Sequence, residues 1–278
     1  MNGEYSAYKK SKLFYKKTGH GTSVLLAFHG FGQNHRAFDL LADSLKERYT
    51  IYTFDLYFHG QSEWGYGEQP LARTFWKDAI YTFLVENKID RFSLIGFSLG
   101  CRFTMATAED FINQLDGLFL FAPDGVRPSF WYSISTYPII LRKAFKSMIC
   151  HPARFKIIVN TLQEARLMNK GLLKFAEHQM NTEAKRKKVY YTWVVFRHLK
   201  VNLTHFINLL NEKKIPVTVA VGKNDKVITA ASLKGFVKKL NTSQFAILNS
   251  GHAGLLKDVE LSLLFGVNGS TISVLQNK

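Results

Sequence analysis

Over the first 123 residues, short apolar runs alternate with stretches whose apolar positions recur every three to four residues. The runs at 23–29, 49–55, 91–97 and 115–122 are rich in β-branched and aromatic residues, and each ends in turn chemistry, which predicts strands. Between them, 36–47, 73–87 and 99–113 carry helical patterns. Strands alternating with helices imply a mostly parallel sheet covered on both faces. From 125 to 214 no strand belonging to such a sheet is legible. The pattern predicts helices at 133–149, 152–168, 171–179, 183–198 and 203–212, the fourth capped by Asn181 or Thr182. Strand patterns return at 216–222 and 244–249, around a helix at 230–240, and a last helix follows His252. Residues 5–18 read as an antiparallel edge hairpin or strand. The organisation expected is a core of 1–123 and 215–278, with a helical cap, 124–214, inserted after the sixth strand.

Composition narrows the class. A chain of 278 residues with 46% hydrophobic and 21% charged residues can bury a sizeable core, which excludes disordered and fibrous proteins. The two cysteines, Cys101 and Cys150, offer no disulfide framework and fit a reducing compartment. The first residues are polar and resemble no signal peptide. The most apolar stretch, 131–141, is too short to span a bilayer and contains Pro138, so cytoplasmic residence is the expectation. Charge is the unusual feature. Of the formal +16, residues 125–214 supply 17 lysines and arginines against four glutamates, a net of +13. Such a segment reads either as a solvated basic face or as a device that steers anions.

The candidate chemistry sits at the ends of the strands. Gly96-Phe97-Ser98-Leu99-Gly100 follows an apolar strand and precedes a helix, the setting a G-x-S-x-G nucleophile elbow needs. Small residues two before and two after Ser98 relieve crowding in a sharp turn that lifts the hydroxyl above the sheet. A serine hydroxyl is a poor nucleophile without a base. His252, in Ser250-Gly251-His252-Ala253-Gly254, follows the last strand, and Asp225, in Gly222-Lys223-Asn224-Asp225-Lys226, follows the one before it. In a parallel sheet these loops share the carboxyl edge with Ser98. Neutral His252 would take the Ser98 proton, while Asp225 would hold its tautomer and stabilise the imidazolium. His29-Gly30-Phe31-Gly32 follows another strand, and the backbone N–H groups of Phe31 and Leu99 would form the oxyanion hole.

These motifs together resemble the α/β-hydrolase superfamily, in its single-chain form with a helical lid. The likeness covers most of the core and includes Asp55-Leu56-Tyr57-Phe58-His59-Gly60-Gln61-Ser62, similar to a D-x-x-x-x-G-x-S turn that is structural in that family. It implies an α/β-hydrolase fold, a Ser98–His252–Asp225 triad in the order this fold uses, and acyl transfer. One departure is Cys101, where many relatives carry glycine.

Ser98 could be an ordinary strand-to-helix cap and Asp225 a turn residue, with Asp124 the rival acid after the preceding strand. His29 and His59 read as turn or core-edge histidines with satisfied hydrogen bonds, and Lys185-Arg186-Lys187-Lys188 as a solvated helix face. No His or Cys cluster has metal-ligand spacing, so neither metal nor cofactor is expected. The reaction implied is hydrolysis of a small carboxylic ester or thioester with an apolar acyl part, to which the basic segment would allow an anionic group, contacted by Phe130, Trp131, Tyr132 and Tyr137; for most of these aromatics, packing of the lid is the stronger reading. Two other functions remain open. One is a cofactor-independent lyase or C–C hydrolase acting on an acidic metabolite, resembling the menaquinone-pathway synthases. The other is a non-catalytic anion or nucleic-acid binder, for which no recognisable nucleic-acid motif exists. Membrane-surface contact through the basic cap also stays open, and oligomeric state is not legible.

Overall fold

Two strands, β5 (Phe92–Phe97) and β7 (Val217–Gly222), are buried at every position, which requires cover on both faces of the sheet they belong to. A computed structural model describes residues 3–126, 138–151, 153–154, 157, 160–161 and 180–258. The remaining strands are β1 (Glu4–Tyr8), β2 (Ser11–Thr18), β3 (Ser23–Phe28), β4 (Tyr49–Phe54), β6 (Leu115–Phe121) and β8 (Ser243–Leu248). They form one eight-stranded sheet in the order β1-β2-β4-β3-β5-β6-β7-β8. The β1–β2 hairpin turns through Lys9, at φ +52°, and pairs antiparallel with β4; every other neighbouring pair is parallel. Strand order reverses around β3, because β4 lies on one side of it and β5 on the other. A crevice opens at such a reversal, beyond the carboxyl ends of the strands.

Alternation along the strands builds two cores. Leu25 and Ala27 of β3, Ile51 of β4, Ile95 and Phe97 of β5, and Phe119 and Phe121 of β6 pack into one cluster with Phe38, Leu41 and Leu45. The intervening residues face the other way. There Phe28 stacks on Phe54 with centroids 5.1 Å apart, Phe54 meets Phe83 edge-on at 4.8 Å, and Trp76 lies edge-on to both Phe28 and Phe103. Phe83 and Trp76 come from α2 (Arg73–Glu86) and Phe103 from α3 (Gly100–Asp110). Trp76 Nε1–H donates to Thr107 Oγ1 at 2.9 Å, so the largest buried side chain also has its polar atom paired.

The expected helix at 36–47 is divided: a 3₁₀ turn, His35–Phe38, precedes α1 (Asp39–Leu45). The Asn34 side chain caps the turn through Arg36 N–H, while the buried Asp55 carboxylate accepts from His35 N–H at 2.6 Å and pulls the chain inward. The helix expected to reach Asn113 ends at Asp110, where Phe111 leaves helical geometry.

Contacts divide the chain into two units, one of Met1–Gly65, Ala72–Arg127 and Leu199–Lys278, the other of Tyr66–Leu71 and Pro128–His198. The first holds the sheet. It also holds α6 (Leu203–Glu212), placed by its buried Phe206, Ile207 and Leu210 and its packing on α3, so the division falls at 198 rather than at 214. α7 (Ala230–Val237) packs on β7 and β8.

In the second unit, α4 (Ile139–Cys150) packs on α5 (Glu183–Phe196). Thr182 caps α5 by accepting from Lys185 N–H. The basic run in the first turns of α5 is not uniformly solvated: Arg186 is 7% exposed and donates to Ile149 O at 2.8 Å and Met180 O at 3.1 Å, closing the carbonyl end of α4. Glu68 joins the same unit by accepting from Tyr190 Oη–H at 2.9 Å and pairing with Lys146. Burial alone would raise the Glu68 pKa, but the hydrogen bonds from Lys146 and Tyr190 outweigh it and hold the carboxyl below its ordinary range.

Candidate active site

The turn between β5 and α3 is built by exclusion. Ser98 sits at φ +50°, in the left-handed region a serine rarely adopts, and is held there by donating its N–H to Phe121 O at 2.8 Å. Its carbonyl accepts from Cys101 N–H at 3.0 Å and Asp124 N–H at 3.2 Å. A β-carbon at Gly96 would lie 2.2 Å from Thr104 Oγ1, and one at Gly100 would lie 2.0 Å from Phe28 O. Neither position can carry a side chain while strand and helix pack this closely. Cys101 is fully buried with its sulfur 3.6 Å from Phe121 O, and burial pushes its thiol well above the usual range. It fills a core position and departs from the glycine of the family pattern at no visible cost.

His252 Nε2 lies 3.0 Å from Ser98 Oγ, and His252 Nδ1 lies 2.6 Å from Asp225 Oδ2. The side chain of Asp225 is wholly buried, that of His252 18% exposed. Asp225 has its second oxygen saturated, because Oδ1 accepts from Val227 N–H and Ile228 N–H, each at 2.8 Å. An ionised carboxylate that accepts two backbone donors is fixed in place, which leaves Oδ2 to the imidazole. The two loops are tied together by Lys223 N–H to Leu248 O at 2.7 Å and Asn224 N–H to Ser250 O at 3.0 Å. Gly222 makes this approach feasible, since a β-carbon there would meet Ser250 O at 2.4 Å. The Phe97 ring, 5.1 Å from that of His252 and tilted by 36°, gives the imidazole a wall to rest on.

Asp124 is placed differently. Its carboxylate faces Arg102, with Oδ2 2.9 Å from Nε and Oδ1 accepting from Nη2 at 3.1 Å. His252 therefore has Asp225 as its acidic partner among the described residues, and Asp124 belongs to an ion pair with α3.

The loop after β3 is held by its own turn. His29, fully buried, donates from Nδ1 to Gly30 O at 2.7 Å and accepts Leu56 N–H on Nε2 at 3.0 Å, so its protonation pattern is set by backbone. His59, also buried, has Nδ1 3.0 Å from Tyr57 O. Gly30 N–H donates to the Gln33 side chain at 2.9 Å. Neither Phe31 N–H nor Leu99 N–H donates to an acceptor among the described residues. Asp55 organises the turn after β4: Oδ2 accepts from Gln61 N–H, Oδ1 from His35 N–H, and Gly60 at φ +52° leaves no room for a β-carbon beside that carboxylate. Its role is structural.

Among protein families, the one described as serine aminopeptidase, S33, matches residues 19–252. The chain belongs to this family. Its fold is that of the α/β hydrolases. An esterase from Thermogutta terrifontis shares it with a TM-score of 0.67 and 18% identity, over 92% of this chain and 93% of that one. An α/β hydrolase from a Medee basin deep-sea metagenome aligns with a TM-score of 0.68 and 14% identity, over 96% and 99% of the two chains. Uncharacterized proteins of Mycobacterium bovis and Mycobacterium tuberculosis are 30% identical over 112 residues, 40% of this chain and 32% of theirs. The chain thus matches about a third of the length of those curated relatives.

Within this α/β hydrolase, Ser98, His252 and Asp225 come together, and Phe31 and Leu99 stand at the turns after β3 and β5. Phe130, Trp131, Tyr132 and Tyr137 lie outside the described residues, as does the chain beyond Asp258; from His252 to Asp258 the chain makes turns, one closed by Lys257 N–H to Gly254 O at 2.9 Å, so the helix expected after His252 does not form among the described residues. Among the described residues, no group of three or more His, Cys, Asp or Glu side chains is placed to hold a metal, and no helix is long and apolar enough to cross a membrane. Sequence reasoning missed the roles of Phe97, Thr104 and Arg102. Their only signal was position: one residue before the serine, and six and four residues after it.

Proposed function

We propose that this α/β hydrolase cleaves a carboxylic ester or thioester through an acyl-enzyme on Ser98. The observation that carries the reading is the unbroken chain of contacts from Asp225 through His252 to Ser98, at 2.6 and 3.0 Å. Both distances are within hydrogen-bond reach without a bridging group.

In this mechanism Ser98 Oγ attacks the carbonyl carbon as its proton passes to His252 Nε2. His252 Nδ1–H points at Asp225, whose charge stabilises the imidazolium that forms. The oxyanion accepts hydrogen bonds from Phe31 N–H and Leu99 N–H, a contribution of about 3 kcal/mol for each donor. The imidazolium then protonates the leaving group, and water, activated by the same base, releases the acid. Selection of the acyl group is assigned to Phe130, Trp131, Tyr132 and Tyr137. The family's description as serine aminopeptidase supports acyl transfer in general, and an amide is the natural competitor to an ester as substrate.

Hydrolysis of p-nitrophenyl esters of increasing chain length, by wild type and Ser98→Ala, tests the reading, with aminoacyl p-nitroanilides measured alongside. Ester turnover that disappears in the variant is the expected result. Turnover of the anilides alone would make the chain a peptidase. Turnover of neither would remove the acyl-enzyme reading and favour the lyase, in which the same serine acts as a base.

A further inference from the structure

The second unit carries an exposed apolar patch at the start of α4, set among cations. Helix α4 buries Phe145 and Ile149, one turn apart, against α5. The side opposite that stripe presents Ile140, Lys143 and Ala144. Ile139, Ile140 and Leu141 are 61, 81 and 43% exposed, and Ile157 beyond the helix is 64% exposed. Ala144, Ser147, Met148, Arg154 and Ile157 line an open cleft. Single exposed apolar residues are ordinary, but three consecutive ones at a helix start, with a fourth nearby, form a patch.

What surrounds the patch selects its partner. From 138 to 163 the chain has five lysines and arginines and no acidic residue. Lys146 is engaged by Glu68, whereas Lys143 and Arg154 are exposed to solvent. A nucleic acid would use the cations but has no place for Ile139, Ile140 and Leu141. A second copy of this chain would bring the same positive charge face to face with itself. An anionic bilayer satisfies both features, because apolar side chains enter the acyl boundary while the cations meet the headgroups.

We propose that α4 and Ile157 dock this protein on membrane surfaces bearing anionic lipids. The proposal is independent of the reaction at Ser98, since none of these residues belongs to that site.

The test is co-sedimentation of the full chain with phosphatidylcholine vesicles, with and without phosphatidylglycerol. Wild type is expected to bind the anionic vesicles and not the neutral ones. Lys143→Glu should lower partitioning about five-fold or more, as should Arg154→Glu, and added salt should act in the same direction. Ile139→Ser/Ile140→Ser/Leu141→Ser should abolish binding. A separate variant, Ile140→Trp, keeps the patch apolar, and its emission should shift to the blue with anionic vesicles only, which tests contact even if the triple variant folds poorly. Absence of binding, equal binding to neutral vesicles, unaltered emission from the Ile140→Trp variant, or a wild-type dimer that Ile140→Ser dissociates would each overturn the proposal.

Discussion

Asp124 and Asp225 occupy the same kind of position, in the turns after β6 and β7, yet their surroundings give them different work. Asp225 is buried, has one oxygen filled by the N–H groups of Val227 and Ile228, and turns the other to His252 at 2.6 Å. Asp124 is 26% exposed at its side chain and faces a guanidinium, that of Arg102 on α3. The lesson is that the partner, and not the place at the end of a strand, decides what a carboxylate does. A carboxylate that meets a permanent cation is occupied. One that meets backbone donors on a single oxygen keeps the other for an imidazole.

Removing one negative charge at a time separates the two carboxylates. Asp225→Asn keeps the shape but presents an amide to Nδ1, and the tautomer that leaves Nε2 basic is no longer enforced. Turnover of a p-nitrophenyl ester should fall about ten-thousand-fold, with the fold retained by circular dichroism. If Asp124 were the acid instead, that loss would belong to Asp124→Asn. The second variant should have a smaller and different effect. Arg102, 8% exposed, would lose its charged partner, so stability should fall by about 2 kcal/mol in urea unfolding, the partial exposure of Asp124 limiting the cost, while turnover changes no more than a few-fold.

Much of this was legible in the chain. The alternation of Leu25 and Ala27 with Leu26 and Phe28, and the largely apolar run at Phe92–Phe97, buried at every position, are direct consequences of a sheet covered on both sides. The elbow was legible because its two glycines are enforced by Thr104 and Phe28 at contact distance. What could not be read depends on distant partners. The break between His35–Phe38 and α1 is made by Asp55, 20 residues away. Residues Tyr66–Leu71 join the second unit through Leu71 N–H to Val195 O and Tyr190 Oη–H to Glu68, pairings that no local pattern announces. Arg186 reads as one cation in a solvated run, and its burial follows from two carbonyls left open at Ile149 and Met180. The sequence favours Asp225 over Asp124 through its place in the family's chain order, but the Arg102 partner that occupies Asp124 is announced by no local pattern.

In the proposed mechanism His252 and Asp225 make Ser98 a nucleophile. Reaction with a fluorophosphonate, read by peptide mass mapping, tests it most directly, because it reports nucleophilicity at a named atom without knowledge of the substrate. The expected result is one adduct, on Ser98, formed by wild type and lost in His252→Ala. An unmodified Ser98 in folded wild type, or an adduct that forms as fast without His252, would contradict it.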